Sequence, residues 1–234
     1  MDLGIVKKIK KRIKKALGLE LSYTPEVDCP HKEFLGTEYG GWSICPEKIR
    51  PGSILYSLGV GEDISFDLAM IDKYQVQIYA FDPTPVSIEW IRNQKLPEQF
   101  HFFDYGIASF DGTAMFYARK DAEQGTYSML ERRKRKTAGV EMSFRRLGTI
   151  MNELGHKKID ILKMDIEGAE YEVIDDLLAA SISIDQLLVE FHHKKFKNVG
   201  VLDTKRTIKK LQKNNFRIFS VSHRQREFSF VHQK

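Results

Sequence analysis

The chain is short of the features that mark secreted or membrane-embedded proteins. Its 234 residues include two cysteines, Cys29 and Cys45, and no N-x-S/T glycosylation site. So few cysteines and no such site favour a reducing, cytoplasmic compartment. Cys29 beside His31 is too small a donor set to argue for a zinc site. No apolar run approaches the roughly 20 residues that cross a bilayer. A cleavable signal pattern is also missing, because the first lysines are interleaved with apolar residues instead of preceding them. Excess charge is confined to one place. Residues 1–20 carry seven basic and two acidic residues, which leaves 30 of each sign in the remainder. The net charge of +5 therefore belongs to a tail, and a nucleic-acid partner is not expected.

That tail, MDLGIVKKIKKRIKKALGL, places Ile5, Val6, Ile9, Ile13, Ala16 and Leu17 at helical spacing with lysines opposite. Residues 1–18 thus read as a basic amphipathic helix, suited to lie on an anionic membrane surface or to pack on the domain, with Gly18 as its stop. Residues 21–52 hold four of the seven prolines and read as an irregular connecting segment. From Ser53 to the end, strands and helices alternate. Strands are expected at 54–59, 76–82, 100–108, 113–119, 159–165 and 186–192. Helices are expected at 65–73, 85–94, 144–154, 169–180 and 203–214. FRIFSVS and EFSFVHQ then close the chain. Alternation of this kind predicts an α/β domain over 53–234, a mostly parallel sheet with helices on both faces. The last two strands are joined too tightly for a parallel crossover and must be antiparallel.

In LGVGEDIS, Gly59 and Gly61 allow a tight turn with close approach of backbone to a ligand. The dinucleotide fingerprint needs a third glycine where Ile64 stands, which weakens a pyrophosphate reading. Asp82 ends the second strand, the usual place for an acid that accepts from ribose hydroxyls. A glycine turn and this acid, with nothing for a diphosphate, point to S-adenosylmethionine more than to NAD.

In DILKMDIEGAEYEVI (160–174), strand alternation puts Lys163, Asp165 and Glu167 on one face and Leu162, Met164 and Ile166 on the other. The carboxylates fall at the strand's carboxyl end, where ligands bind in open α/β sheets, and Gly168 permits a sharp exit into the next helix. In LLVEFHH, Glu190 and His192 alternate onto one face at the same end. The run ERRKRK (131–136) reads as a solvated loop or an anion-binding rim.

LYSLGVGEDISFD, YAFDPTP, DYGIAS, DGTAMFY and above all the K-x-D-x-E-G-x-E core of DILKMDIEGAEYEVI resemble class I methyltransferases of the FkbM family, as does YGGWSICP upstream. The resemblance spans roughly residues 36–222. It implies a Rossmann-like seven-stranded sheet of order 3-2-1-4-5-7-6, S-adenosylmethionine as cofactor, and methyl transfer to a hydroxyl of a sugar, glycan or secondary metabolite. By position it implies Gly59 and Gly61 beside the methionine moiety, Asp82 at the ribose, Asp104 or Ile107 at the adenine, Asp165 towards the cofactor, and Glu167 and Trp42 towards the acceptor. Ser57 stands where many relatives have Asp.

His192 has the ordinary pKa best suited to remove a proton from the acceptor near neutrality. Asp165 or Glu190 then orients the imidazole, and Lys163 keeps the carboxylates ionised. Nothing in the sequence demands an ion, so a metal-free mechanism is expected. A divalent ion on Asp165, Glu190 and His192 is the competing arrangement. Two other functions are open to this sequence, a non-catalytic binding module at the membrane and an NAD-dependent oxidoreductase.

Overall fold

The computed structural model describes residues 20–118, 127–128, 139–193 and 199–233. The basic segment 1–18 and the ERRKRK run therefore lie outside the described residues. The chain opens with β1 (Glu33–Leu35), β2 (Trp42–Ile44), β3 (Ile54–Leu58), α1 (Ser65–Tyr74), β4 (Gln77–Phe81) and α2 (Pro85–Arg92). It continues with β5 (Phe100–Phe103), β6 (Gly106–Ile107), β7 (Gly112–Ala118), β8 (Tyr127–Ser128), β9 (Gly139–Arg145) and α3 (Leu147–Leu154). β10 (Ile159–Met164), α4 (Glu170–Ala179), β11 (Ile184–Glu190), α5 (Val201–Lys213), β12 (Phe216–Val221) and β13 (Glu227–His232) complete it.

Seven strands form the main sheet in the order β5-β4-β3-β10-β11-β13-β12. Counted along the chain this is 3-2-1-4-5-7-6, as expected. β13 runs antiparallel to both its neighbours, and the other neighbouring strands pair in parallel. One apolar cluster packs Leu58, Leu162, Met164, Leu187 and Val189 against α3, α4 and α5. The other packs Leu55, Ile78, Ile161 and Leu188 against α1, α2 and β2. The two faces follow from strand alternation, each covered by helices because a parallel sheet exposes neither side.

The register matters most for function. Leu58 lies level with Met164 and with Phe81, and Met164 lies level with Val189. The next residues, Gly59, Asp82, Asp165 and Glu190, therefore lie side by side at the carboxyl ends of these strands.

Three differences from the sequence reading have physical causes. Residues 100–108 were expected as one strand, but Asp104 and Tyr105 form a bend. β5 joins the main sheet and β6 pairs with β9 in a second sheet of order β6-β9-β7-β8. Residues 21–52 are not wholly irregular, since β1 and β2 form an antiparallel hairpin whose Trp42 and Ile44 are buried. Gln186 of β11 exchanges two hydrogen bonds with the backbone of Cys45, and Glu33 accepts from Lys73 and Tyr74 of α1. Finally, Cys29 and Cys45 pair as a disulfide, with Cα atoms 6.0 Å apart. That pairing takes away the ground on which a reducing compartment was expected, and it leaves His31 without cysteine partners for zinc. Among the described residues, no helix is long and apolar enough to cross a membrane.

Candidate active site

The glycine turn after β3 is built against β10. Gly59 has φ +77° and donates its N–H to Phe81 O. A Cβ on Gly59 would meet the carbonyl oxygen of Asp165 at 1.8 Å, so only glycine lets the turn lie this close to β10. Lys163 is buried, and its Nζ donates to Gly59 O at 2.7 Å. Beneath it, Asp67 of α1 is fully buried, and burial pushes its carboxyl up against the opposing charge of Lys163. Lys163 thus anchors the turn, while its charge still lowers the neighbouring Asp165.

Asp82 serves the same turn. Its Oδ2 accepts from Val60 N–H (2.9 Å) and Gly61 N–H (3.0 Å), and its Oδ1 from the Thr84 N–H (2.9 Å) and hydroxyl (2.6 Å). A carboxylate has about four acceptor positions, and all four are taken within the chain.

The acceptor side is an imidazole ringed by carboxylates. His192 follows β11 with its side chain 1% exposed. Its Nδ1 lies 2.6 Å from Oε1 of Glu170, itself fully buried at the start of α4. Glu170 also accepts from the Gly168 N–H, at 3.1 Å to each oxygen. On the other side of the ring, Nε2 faces Asp165 at 3.6 Å, Glu190 at 3.6 Å and Glu167 at 3.8 Å. Glu167 reaches this position from a left-handed backbone, φ +49°, ahead of Gly168 at +109°. Arg226, in the turn before β13, lies 3.4 Å from Glu190. Burial alone would push the His192 imidazolium down, but Glu170, Asp165 and Glu167 outweigh it and raise it to about 9. Desolvation at the strand end raises Asp165, with Glu167 and Glu170 adding to the rise and His192 and Lys163 opposing it.

The structure thus brings Asp165, Glu167, Glu190 and His192 together beside Gly59 and Gly61. Other expected roles are revised. The carboxylates around His192 favour its imidazolium form, which works against the expected use of its imidazole as a base. Lys163 is turned to the glycine loop and acts on the carboxylates only through its charge. Trp42, expected towards the acceptor, is buried in the apolar cluster that also holds Ile64 and Phe66. Ile107 is buried with Phe81 and Leu147, whereas Asp104 is exposed at the end of β5. Two contributors went unassigned from sequence. Glu170 is the last acid of the K-x-D-x-E-G-x-E core, but its place in the first turn of a helix disguised it as a charge favourable to the helix dipole. Tyr39, 94% exposed, stands within electrostatic reach of Asp165, Glu190 and Glu167. Its turn is tied to the region after β3 by the Thr37 hydroxyl, 2.6 Å from Asp63, and the Thr37 N–H, 2.8 Å from the Ser65 hydroxyl. No sequence pattern marked either contact.

A sheet of this order, with a glycine turn after its first strand and an acid after its second, defines a class I methyltransferase fold. A sequence model of the methyltransferase FkbM domain matches residues 30–218, and the chain belongs to that family. The human probable methyltransferase-like protein 24 is 28% identical over 220 residues, covering 84% of this chain and 54% of that protein. The rat protein of the same name is 32% identical over 141 residues, 59% of this chain and 32% of the relative. The chain therefore spans about half the length, or less, of these curated relatives. Among solved structures, the fibrillarin pre-rRNA processing protein of Methanococcus jannaschii superposes with a TM-score of 0.48 at 11% identity, over 90% of this chain and 86% of that one.

S-adenosylmethionine is the cofactor of a methyltransferase domain of this class, and the site fits it. Gly61 has φ +60°, and a Cβ there would stand in open space with no atom within 4 Å. The turn therefore presents bare backbone to open space, on the side where Asp104 and Asp165 also follow their strands.

Proposed function

We propose that this chain transfers the methyl group of S-adenosylmethionine to a hydroxyl oxygen of a small molecule or glycan. The observation that carries the reading is the placement of Asp165, Glu167, Glu190 and His192 beside the Gly59–Gly61 turn. One face of the cleft suits an adenosine-containing cation and the adjoining face suits a group that must lose a proton. Bound there, S-adenosylmethionine supplies an electrophilic methyl on a positively charged sulfur. The backbone of Gly59–Gly61 holds the methionine end, with Asp82 shaping the turn from behind and Asp104 at the adenosine end. Asp165 stands between the two halves, since it follows β10, the strand between the glycine turn and the acceptor cluster. Methyl transfer is an in-line displacement, so fixing the acceptor oxygen against the methyl supplies much of the rate. Glu167 and Glu190 are placed to orient that acceptor by accepting its hydroxyl hydrogens.

Isotope-labelled S-adenosylmethionine incubated with the full chain and cell extract, followed by mass spectrometry, tests this. Label should appear on hydroxyl-bearing metabolites or glycans. Label confined to nitrogen or sulfur atoms would refute the acceptor class. Absence of cofactor binding in a calorimetric titration would refute the reading itself.

A further inference from the structure

The geometry points to a divalent-cation site at the carboxyl ends of β10 and β11, made by His192 Nε2 with the carboxylates of Asp165 and Glu190 and with Glu167 beside them. Its catalytic meaning rests on the methyl-transfer reading above, but the binding of the ion does not.

The first reason is spacing. Asp165, Glu190 and His192 each bring one ligand atom to within 4.8 Å of the others. Nε2 lies 3.6 Å from Asp165, 3.6 Å from Glu190 and 3.8 Å from Glu167. These separations are longer than a hydrogen bond. An ion with bonds of about 2.0–2.2 Å holds its ligands about 3.0–3.6 Å apart, so the imidazole already stands at ligand spacing from Asp165 and Glu190, and the set closes on an ion by side-chain rotation of the carboxylates.

The second reason is the partner of the other ring nitrogen. Histidines that bind metals hand their second nitrogen to a carboxylate or carbonyl, which fixes the ring and the tautomer. Here the buried Glu170 holds Nδ1 at 2.6 Å and is itself held by the Gly168 N–H. This leaves Nε2 as the ring atom directed at the three other carboxylates.

A set of one imidazole nitrogen and two or three carboxylate oxygens suits manganese or zinc better than calcium or magnesium, which favour all-oxygen sites. An ion here would lower the pKa of a hydroxyl that touched it, with the proton leaving to solvent. No neutral His192 would then be needed as a base.

The test is a titration of the chelator-treated full chain with manganese, followed by electron paramagnetic resonance. One manganese ion per chain is expected. Asp165→Asn and Glu190→Gln should each weaken it at least tenfold, and Glu170→Gln by about 10–100-fold through loss of the imidazole's support. Thermal unfolding of each variant confirms that it is folded. No binding of manganese or zinc to the folded chain at millimolar concentration would overturn the proposal, as would binding that both carboxylate variants leave unchanged. Binding of S-adenosylmethionine without the ion would reject the ion and leave the methyl-transfer reading standing. Binding of the ion without S-adenosylmethionine would support the site and remove the function proposed above.

Discussion

Glu170 and His192 form a fully buried carboxylate–imidazole pair, Oε1 to Nδ1 2.6 Å, that ties the first turn of α4 to the residues following β11. The pair fixes which ring nitrogen faces the cleft. It also sets the charge of the ring, because an imidazolium beside a buried carboxylate is favoured over a neutral imidazole.

In the metal-free chain the imidazole of His192 should titrate near 9, against an ordinary value of about 6.5. The folded-state value is the higher one, so this stabilisation is complete below about pH 6.5 and is lost as the pH rises through about 9. The shift corresponds to roughly 3 kcal/mol. Urea unfolding of chelated protein between pH 6.5 and 9.5 should show that decline, and imidazole resonances followed by NMR should assign it to His192. Glu170→Gln should move the titration down towards 6.5 and flatten the decline. A titration near 6.5 in the unmodified chain would contradict the charge state assigned here.

Asp82 was expected at a ribose, yet its four acceptor positions are filled by Val60, Gly61 and Thr84. Asp82→Asn should turn an amide N–H₂ towards these donors and cost about 1–3 kcal/mol of stability. If Asp82 only shapes the turn, the variant should lose affinity equally for S-adenosylhomocysteine and its 2′-deoxy analogue. A larger loss for the ribose form, measured by calorimetry, would restore the direct role.

The mostly parallel sheet was legible because apolar strands and amphipathic helices alternate in plain sequence from Ser53 onward, and its antiparallel close because β12 and β13 are joined by a short link; the strand order itself came from the resemblance to the FkbM family. The convergence of Asp165, Glu190 and His192 was legible for a related reason. Parallel strands of similar length end together, so acids at their carboxyl ends meet. What escaped was decided by contacts distant in sequence. Trp42 is an aromatic in a glycine-rich segment, and only the docking of β2 on the sheet buries it. Glu170 looks like any acid in a first helical turn until Gly168 swings it under His192. Lys163 alternates onto the carboxylate face as expected, but the carbonyl of Gly59 lies nearer than any carboxylate it was expected to serve. The bend at Asp104 separates two strands that are one continuous β-like run in sequence.

Residues 1–18 lie outside the described residues, and their expected role stands on sequence alone. Each basic residue near an anionic surface contributes about 1 kcal/mol, and the apolar stripe adds burial. The full chain should float with anionic liposomes, and a chain starting near Glu20 should not. Equal flotation of the two, or of neither, would count against a membrane partner.

Gly59 and Gly61 lie two residues apart in one turn, both with positive φ, and they should fail in different ways when changed to alanine. At Gly59 the added Cβ would sit 1.8 Å from the carbonyl oxygen of Asp165. That neighbour is backbone at the end of a central strand and has little freedom to withdraw. Gly59→Ala should therefore lower folding stability by more than about 2 kcal/mol, by steric conflict added to the cost of a left-handed conformation. At Gly61 the added Cβ meets nothing within 4 Å, and only the conformational cost, about 1–2 kcal/mol, applies. Its methyl would instead enter the space assigned to the methionine end of S-adenosylmethionine. Gly61→Ala should stay folded and lose at least tenfold in cofactor affinity, about 1.4 kcal/mol. Denaturant unfolding paired with calorimetric titration separates the two effects. A folded Gly61→Ala chain that binds S-adenosylmethionine as tightly as the unmodified one would place the cofactor away from this turn.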